Sequence, residues 1–278
     1  MALNAARVGT QYEPIDFEAT REALVAYARA IDETKAPLLE GSLAEPMFAV
    51  VPMHYGFAPA LGDSELGFTP EMLFRLVFAE QDLTFHRLIR AGERLATTPS
   101  IAAVEAKSSG ELLVLALTTR DQAGALVAEA KAGLFIRGEK RGLKRSEAPA
   151  PPPAGEPAFV ASYRVAEDQS IRYAKASHDE NPIHMDDGVA KMVGLPGKIL
   201  HGMCTMAFAS RAVIDRACGG DPAGLARLKL RFAKPVLMGE ELTVRAWRNG
   251  DRRFDLEVVN RAGDAVAREG LAVVRGDA

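Results

Sequence analysis

The stretch Leu230-Arg231-Phe232-Ala233-Lys234-Pro235-Val236-Leu237-Met238-Gly239-Glu240-Glu241-Leu242 lines up with Leu83-Thr84-Phe85-His86-Arg87-Leu88-Ile89-Arg90-Ala91-Gly92-Glu93-Arg94-Leu95. The Leu-x-Phe and Gly-Glu-x-Leu elements fall at identical offsets. Upstream, Tyr27-Ala28-Arg29-Ala30 matches Tyr173-Ala174-Lys175-Ala176, each soon followed by an aspartate, and both copies close on Arg-Gly at Arg137-Gly138 and Arg275-Gly276. Several elements shared in one order point to an internal duplication. Between the copies the chain turns basic, Lys140-Arg141-Gly142-Leu143-Lys144-Arg145, and then reads Ala148-Pro149-Ala150-Pro151-Pro152-Pro153-Ala154-Gly155-Glu156-Pro157. Clustered prolines favour an extended spacer and fit neither a helix nor a central strand. The expected organisation is a first repeat over 1–138, a proline-rich linker over 139–157 and a second repeat over 158–278.

Working outward through the second copy, Asp168 is placed to cap a short helix through Ile171 and Ala174. A further short helix is expected to stop near Gly194-Leu195-Pro196-Gly197. Met203, Met206, Ala207, Ser210, Val213, Ile214 and Ala217 then share one helical face, and Gly219-Gly220 ends that helix. Beyond it, Leu228, Leu230 and Phe232 alternate with charged residues, as do Leu242, Val244 and Ala246, and then Phe254, Leu256 and Val258. Period-two alternation marks strands with one face on a core and one in water. Asn249-Gly250-Asp251 and Arg261-Ala262-Gly263-Asp264 read as hairpin turns. A long buried helix wrapped by an antiparallel sheet is the economical packing, an α+β arrangement. The first copy shows the same sheet signals over Ile101–Val104, Leu112–Thr118 and Ala125–Ile136. Its helix is harder to find, because Pro46, Pro52 and Pro59 interrupt the stretch from Met47 to Ala60.

The chemistry concentrates in Tyr173-Ala174-Lys175-Ala176-Ser177-His178-Asp179-Glu180-Asn181-Pro182-Ile183-His184. Pro182 pushes Asn181 out of the α region, so the helix ends and the polar side chains lie on a turn. A carboxylate (Asp179), an amide (Asn181) and an imidazole (His184) can converge there on one small volume. Histidine is the acid–base group available near neutral pH. Some twenty residues on, Ile199-Leu200-His201-Gly202-Met203-Cys204 opens the long helix. Free N–H groups at a helix start, with Gly202 admitting close approach, make an oxyanion site for acyl chemistry.

These residues resemble the (R)-specific enoyl-CoA hydratases, or hydratase 2 enzymes, of the MaoC-like group with the hot-dog fold. Asp179-x-Asn181-Pro182-x-His184 is similar to that family's hydratase motif. Ile199 to Thr205 resembles the start of its central helix, and Arg231-Phe232-Ala233-Lys234-Pro235-Val236 its following strand. The first half resembles the degenerate first repeat of two-repeat members. The resemblance spans nearly the whole chain and is strongest from about Ile171 to Trp247. It departs in one place: the family often has glycine just before the aspartate, where this chain has His178.

The resemblance implies a double hot-dog fold with a degenerate first repeat. It implies addition of water to trans-2-enoyl-CoA, giving the (3R)-3-hydroxyacyl-CoA, or the reverse. Asp179 and His184 would activate the water and manage the proton at C2, Asn181 would hold the site in register, and the Gly202 N–H would receive the thioester oxygen. His201, Met203 and Lys198 are further candidates for substrate contact, and Arg211, Lys229, Arg231 and Lys234 for the CoA phosphates. The first copy reads Asp32-Glu33-Thr34-Lys35-Ala36-Pro37 where the second has its motif, so one active site per chain is expected. Rival readings are the same chemistry on an acyl carrier protein thioester, a non-catalytic acyl-thioester-binding subunit, and a thioesterase.

Bulk properties narrow the classes. The 278 residues are 48% hydrophobic and 26% charged, with a net charge of −3, enough for a sizeable core and without the basic balance of a nucleic-acid partner. Cys204 and Cys218 are the two cysteines, no disulfide framework, and with the scattered histidines they give no zinc spacing. Cys204 reads as a small core residue, and His54 and His86 as surface or core residues without partners. No secretory signal, membrane span or peroxisomal address is expected, so the expectation is a cytoplasmic protein, a homodimer as hot-dog proteins commonly are, with no metal and no cofactor apart from the CoA of its substrate.

Overall fold

A computed structural model describes residues 2–138, 151 and 153–276. The basic run from Lys140 to Arg145 and most of the proline-rich linker lie outside the described residues. In the first repeat, β1 (Ile15–Ala19) leads into helix α1 (Arg21–Ala30), and the short helices α2 (Ala36–Leu39), α3 (Val50–His54), α4 (Phe57–Leu61) and α5 (Pro70–Leu73) follow. Strands β2 (Leu76–Phe85), β3 (Glu93–Lys107), β4 (Gly110–Asp121) and β5 (Leu126–Arg137) complete it. The second repeat runs β6 (Phe159–Arg164), α6 (Gln169–Ser177), α7 (Asp187–Met192), α8 (Gly202–Ala217), β7 (Leu225–Phe232), β8 (Glu241–Arg248), β9 (Arg253–Asn260) and β10 (Ala265–Val274).

The ten strands among the described residues form one antiparallel sheet in the order β1-β3-β4-β5-β2-β7-β10-β9-β8-β6. The order is palindromic: each half lists the same five strands from the outer edge to the middle, where β2 meets β7. There Leu83 pairs with Leu228 and Gln81 with Leu230. Asp82–Arg227 and Glu80–Lys229 ion pairs run along the same seam, at 2.6 and 3.4 Å. This is the double hot-dog expected from the sequence.

The central helix of the second repeat is continuous. Met206, Ala207, Phe208, Ala209, Val213 and Ile214 are all buried, a helix apolar on nearly every side because the sheet wraps it. The corresponding first-repeat helix is broken as its prolines require: a 3₁₀ turn over Pro46–Ala49, then α3, then α4. The hairpin turns fall where expected, after β8 and after β9. One expectation fails in detail. Asp168 stands at the N-cap of α6, yet its side chain makes no capping bond and instead pairs with Arg172 at 3.1 Å.

Matched backbone contacts fix the correspondence between the copies. An isolated bridge joins Leu43 to Arg90 in the first and Ile199 to Leu237 in the second. The N–H of Ala44 bonds the Ile89 carbonyl, and that of Leu200 bonds Val236. Glu45 therefore stands where His201 does. The φ angles of Asp32 and His178 are +53° and +62°, both left-handed, at the same place beyond their helices. The residue matching Asp179 is thus Glu33, one position later than the sequence comparison placed it. Two buried tyrosines, Tyr27 and Tyr173, meet on the pseudo-twofold axis with their hydroxyls 3.3 Å apart.

Candidate active site

Helix α6 ends at Ser177, and His178 carries the left-handed turn that redirects the chain. A glycine adopts that conformation without strain, which accounts for the glycine common in similar sequences. His178 is exposed and lays its ring beside Tyr55, with centroids 5.6 Å apart. The Asn181 N–H then donates to Asp179 Oδ1 at 3.4 Å, and the Asn181 side chain accepts from the Ile183 N–H at 3.2 Å. Asn181 caps the 3₁₀ turn Pro182–His184 and so sets where His184 projects.

His184 is buried, and its Nδ1 lies 2.8 Å from the Ile199 carbonyl. A carbonyl only accepts, so Nδ1 carries the hydrogen and Nε2 is left as a free base. His201 is 1% exposed and stacks on His184, centroids 3.7 Å apart and 25° between planes. Its Nε2–H donates to the backbone carbonyl of Asp179 at 2.9 Å. Burial lowers the pKa of His184, against the pull of Asp179. Burial together with the neighbouring His184 pushes His201 down to about 3. Both rings are neutral at physiological pH.

Asp179, His184 and His201 bring ligand-type atoms within 4.8 Å of one another. Two imidazoles stacked face to face cannot both aim an in-plane lone pair at one ion, so the set suits proton transfer better than metal binding. His201 stacks on His184 and holds the Asp179 backbone carbonyl.

Gly202 opens α8 beside this group. A Cβ there would stand 3.1–3.2 Å from the Phe232 ring, tighter than ordinary contact. Its N–H belongs to the first turn, where no carbonyl one turn earlier exists within the helix. A small pocket, partly open to solvent, adjoins Asp179. Met203 lines it from the second repeat, and Val50, Met53, Phe57 and Phe78 from the first. Met206, on the same helix, is core. His54, which shows no partner in the sequence, also lines this pocket, where burial lowers its pKa against the pull of Asp179. Only the packing of one repeat's helix against the other repeat's motif reveals it.

The expected phosphate contacts fare differently. The backbone N–H of Lys198 donates to Asp187 Oδ1 at 2.8 Å. Arg211 is buried: it donates to the Ile31 carbonyl at 2.8 Å and covers the Tyr163 ring, so it is an internal residue and not a phosphate ligand. Lys229, Arg231 and Lys234 are engaged by Glu80, Glu269 and Asp264. His86 pairs with Glu129 at the surface, and Cys204 is core.

The matching position in the first repeat is a polar knot rather than a second site. Glu33 Oε2 lies 3.8 Å from Arg211 Nε, and both atoms are buried without a hydrogen bond. Glu45 accepts from the Ser210 hydroxyl and the Met47 N–H, each at 2.6 Å, and burial pushes its carboxyl up to about 8. No histidine is present there.

Comparison with known proteins agrees with this geometry. Residues 149–269 match the MaoC like domain, and residues 6–130 match the FAS1-like, dehydratase domain region. The chain is 31% identical to 3-hydroxyacyl-thioester dehydratase Y of Mycobacterium tuberculosis, over 95% of this chain and 94% of that one. It is 29% identical to the probable enoyl-CoA hydratase 2 of Dictyostelium discoideum, over 96% and 95%. The crystal structure of a MaoC-like dehydratase from Phytophthora capsici superposes with a TM-score of 0.83 at 25% identity, covering 99% of each chain. The chain belongs to the MaoC-like dehydratase family, with a MaoC-like domain as its second repeat and a dehydratase-type region as its first.

Proposed function

We propose that the protein adds water to trans-2-enoyl-CoA to give the (3R)-3-hydroxyacyl-CoA, or runs the reverse reaction. The observation that carries this reading is a histidine whose Nδ1–H is committed to a backbone carbonyl, leaving Nε2 bare beside Asp179. In the hydration direction, Asp179 and His184 Nε2 hold the water. Its oxygen bonds to C3, and its proton passes to this pair. The C2=C3 electrons shift toward the thioester carbonyl, whose oxygen is received by the Gly202 N–H, and C2 then takes up a proton from the same pair. Water and protons balance the reaction, and no electron acceptor enters it. Kinship with proteins named thioester dehydratase and enoyl-CoA hydratase supports the same class. Among the described residues no helix is long and apolar enough to cross a membrane. Free Cys204 and Cys218 suit a reducing compartment, and we place the protein in the cytoplasm.

The test is loss of the conjugated-thioester absorbance of crotonyl-CoA and of a longer trans-2-enoyl-CoA, with free thiol followed in parallel. Loss without thiol release is the expected result. Thiol release would identify a thioesterase, and turnover of the acyl carrier protein thioester alone would move the substrate to the carrier. Binding with no turnover of any thioester would leave a non-catalytic subunit.

Gly202→Ala tests the oxyanion assignment. The added methyl presses on the Phe232 ring and displaces the helix start by a few tenths of an ångström. A drop in kcat of roughly tenfold is expected, with KM little changed, because misplacement of a reacting group is costly even below 1 Å. Unchanged kcat would place the thioester oxygen elsewhere.

A further inference from the structure

Gln81 stands on the inward face of β2, in alternation with Leu83 and Phe85. The duplication supplies an internal control for this position: the matching residue of β7 is Leu228, fully buried in the core. A leucine is what that core position takes when only packing matters. Here the residue is an amide, 3% exposed, lining the pocket that contains Asp179. Its side chain makes no hydrogen bond among the described residues, and its amide atoms are not among the fully buried ones, so they keep contact with water. Driving that water out without replacing it would cost about 1–3 kcal/mol.

His54 lines the same pocket from the end of α3. Its ring meets Phe57 edge-on, with centroids 5.8 Å apart, and it too makes no hydrogen bond among the described residues. Burial lowers its pKa, against Asp179, so it is a neutral ring offering one donor and one acceptor. The remaining first-repeat lining is apolar, and among the described residues no lysine or arginine lines the pocket. A plain hydrocarbon chain filling this space would strip both polar groups of water and leave them unpaired. An oxygen on the chain would satisfy them, and with the Asp179 carboxylate in the same lining an uncharged oxygen fits better than an anionic one.

We propose that His54 and Gln81 together bind an uncharged oxygen substituent of the acyl group, so that the preferred substrates are 2-enoyl thioesters bearing a hydroxyl or keto oxygen on the chain beyond C3. The inference rests on the hydratase reading of the neighbouring Asp179 and His184. Sites that hydrogen-bond a substrate hydroxyl reject analogues lacking it far more strongly than apolar pockets discriminate by size.

The experiment compares kcat/KM for an eight-carbon trans-2-enoyl-CoA with that for its analogues hydroxylated at C5 or C7. The wild-type protein is expected to favour one hydroxylated analogue by about tenfold or more. Gln81→Leu, which copies Leu228, and His54→Phe are each expected to shift that ratio toward the plain chain by about tenfold. A ratio within one variant does not depend on how much of it folds. A wild-type preference for the plain chain, or ratios that neither substitution moves, would overturn the inference. If no enoyl substrate turns over, the hydratase reading fails. Calorimetric binding of the matching saturated acyl-CoA pair then decides the inference by itself: tighter binding of the hydroxylated member, lost in Gln81→Leu, supports it, and equal binding overturns it.

Discussion

Asp179→Asn is expected to lower kcat for trans-2-enoyl-CoA hydration by about 10³-fold while KM stays within about threefold. The amide keeps the shape of the carboxylate and its acceptor for the Asn181 N–H, but it cannot exchange a proton. His184→Gln should lose a similar factor. An amide can reach the Ile199 carbonyl as the imidazole does, yet it supplies no base. Because the two groups act on one water, the double variant should be scarcely slower than either single one. The pH profile adds an independent readout. Burial lowers the His184 pKa, so the ring stays neutral further into acid than an ordinary histidine of about 6.5. The acid limb of kcat/KM should therefore fall below that value. Steady-state kinetics over a pH series checks all three points, and a single variant that keeps even a tenth of wild-type kcat would remove its residue from the proton path.

The second large effect concerns stability. Arg211→Met is expected to destabilise the protein by about 3 kcal/mol, seen as a lower denaturation midpoint in urea. Glu33 is buried, and Arg211 is its guanidinium neighbour in the knot. Removing the arginine leaves a carboxylate in a low-dielectric interior. Lys35, 3.6 Å from the other carboxylate oxygen, offsets only part of that loss. The loss of the bond to the Ile31 carbonyl adds to it. Adding Glu33→Leu should restore most of the stability, because a buried ion pair replaced whole by apolar side chains costs little. A midpoint unchanged in Arg211→Met would mean that the knot contributes nothing to stability. Activity should be spared in the double variant, since Arg211 stands more than two turns along α8 from Gly202 and its contacts are with Glu33, Ile31 and Tyr163, not with Asp179 or His184.

Much of this molecule was legible in the sequence, for definite reasons. Alternation in β7 to β10 and the uninterrupted apolar helix report directly on burial, so the second repeat could be read almost residue by residue. The motif from Asp179 to His184 was legible because Pro182 forces its side chains onto one turn. The first repeat's helix was obscured by Pro46, Pro52 and Pro59, which break it into pieces too short to show a period. Glu33 was misplaced by one residue, since an Asp-Glu pair aligns equally well in two registers until the left-handed φ angles choose one. His54, Gln81 and the inward turn of Arg211 could not be seen, because each acquires its role from a surface that lies about a hundred residues or more away in the chain. The ion pairs of Lys229, Arg231 and Lys234 with Glu80, Glu269 and Asp264 were likewise hidden, because sequence spacing does not show which carboxylates the fold brings beside them.

The seam between β2 and β7 has a consequence for how the protein responds to concentration. Its partners Leu83 and Leu228 are far apart along the chain, whereas the ladders β3-β4 and β4-β5 close through tight local turns. Assembly of the two halves is thus a late, long-range event, the kind that slows folding. Covalent linkage nevertheless makes it intramolecular, at an effective concentration that dilution does not alter. The halves that together form the pocket cannot be parted by scarcity of the protein, and each catalytic half is furnished with its own non-catalytic mate at a fixed ratio of one to one.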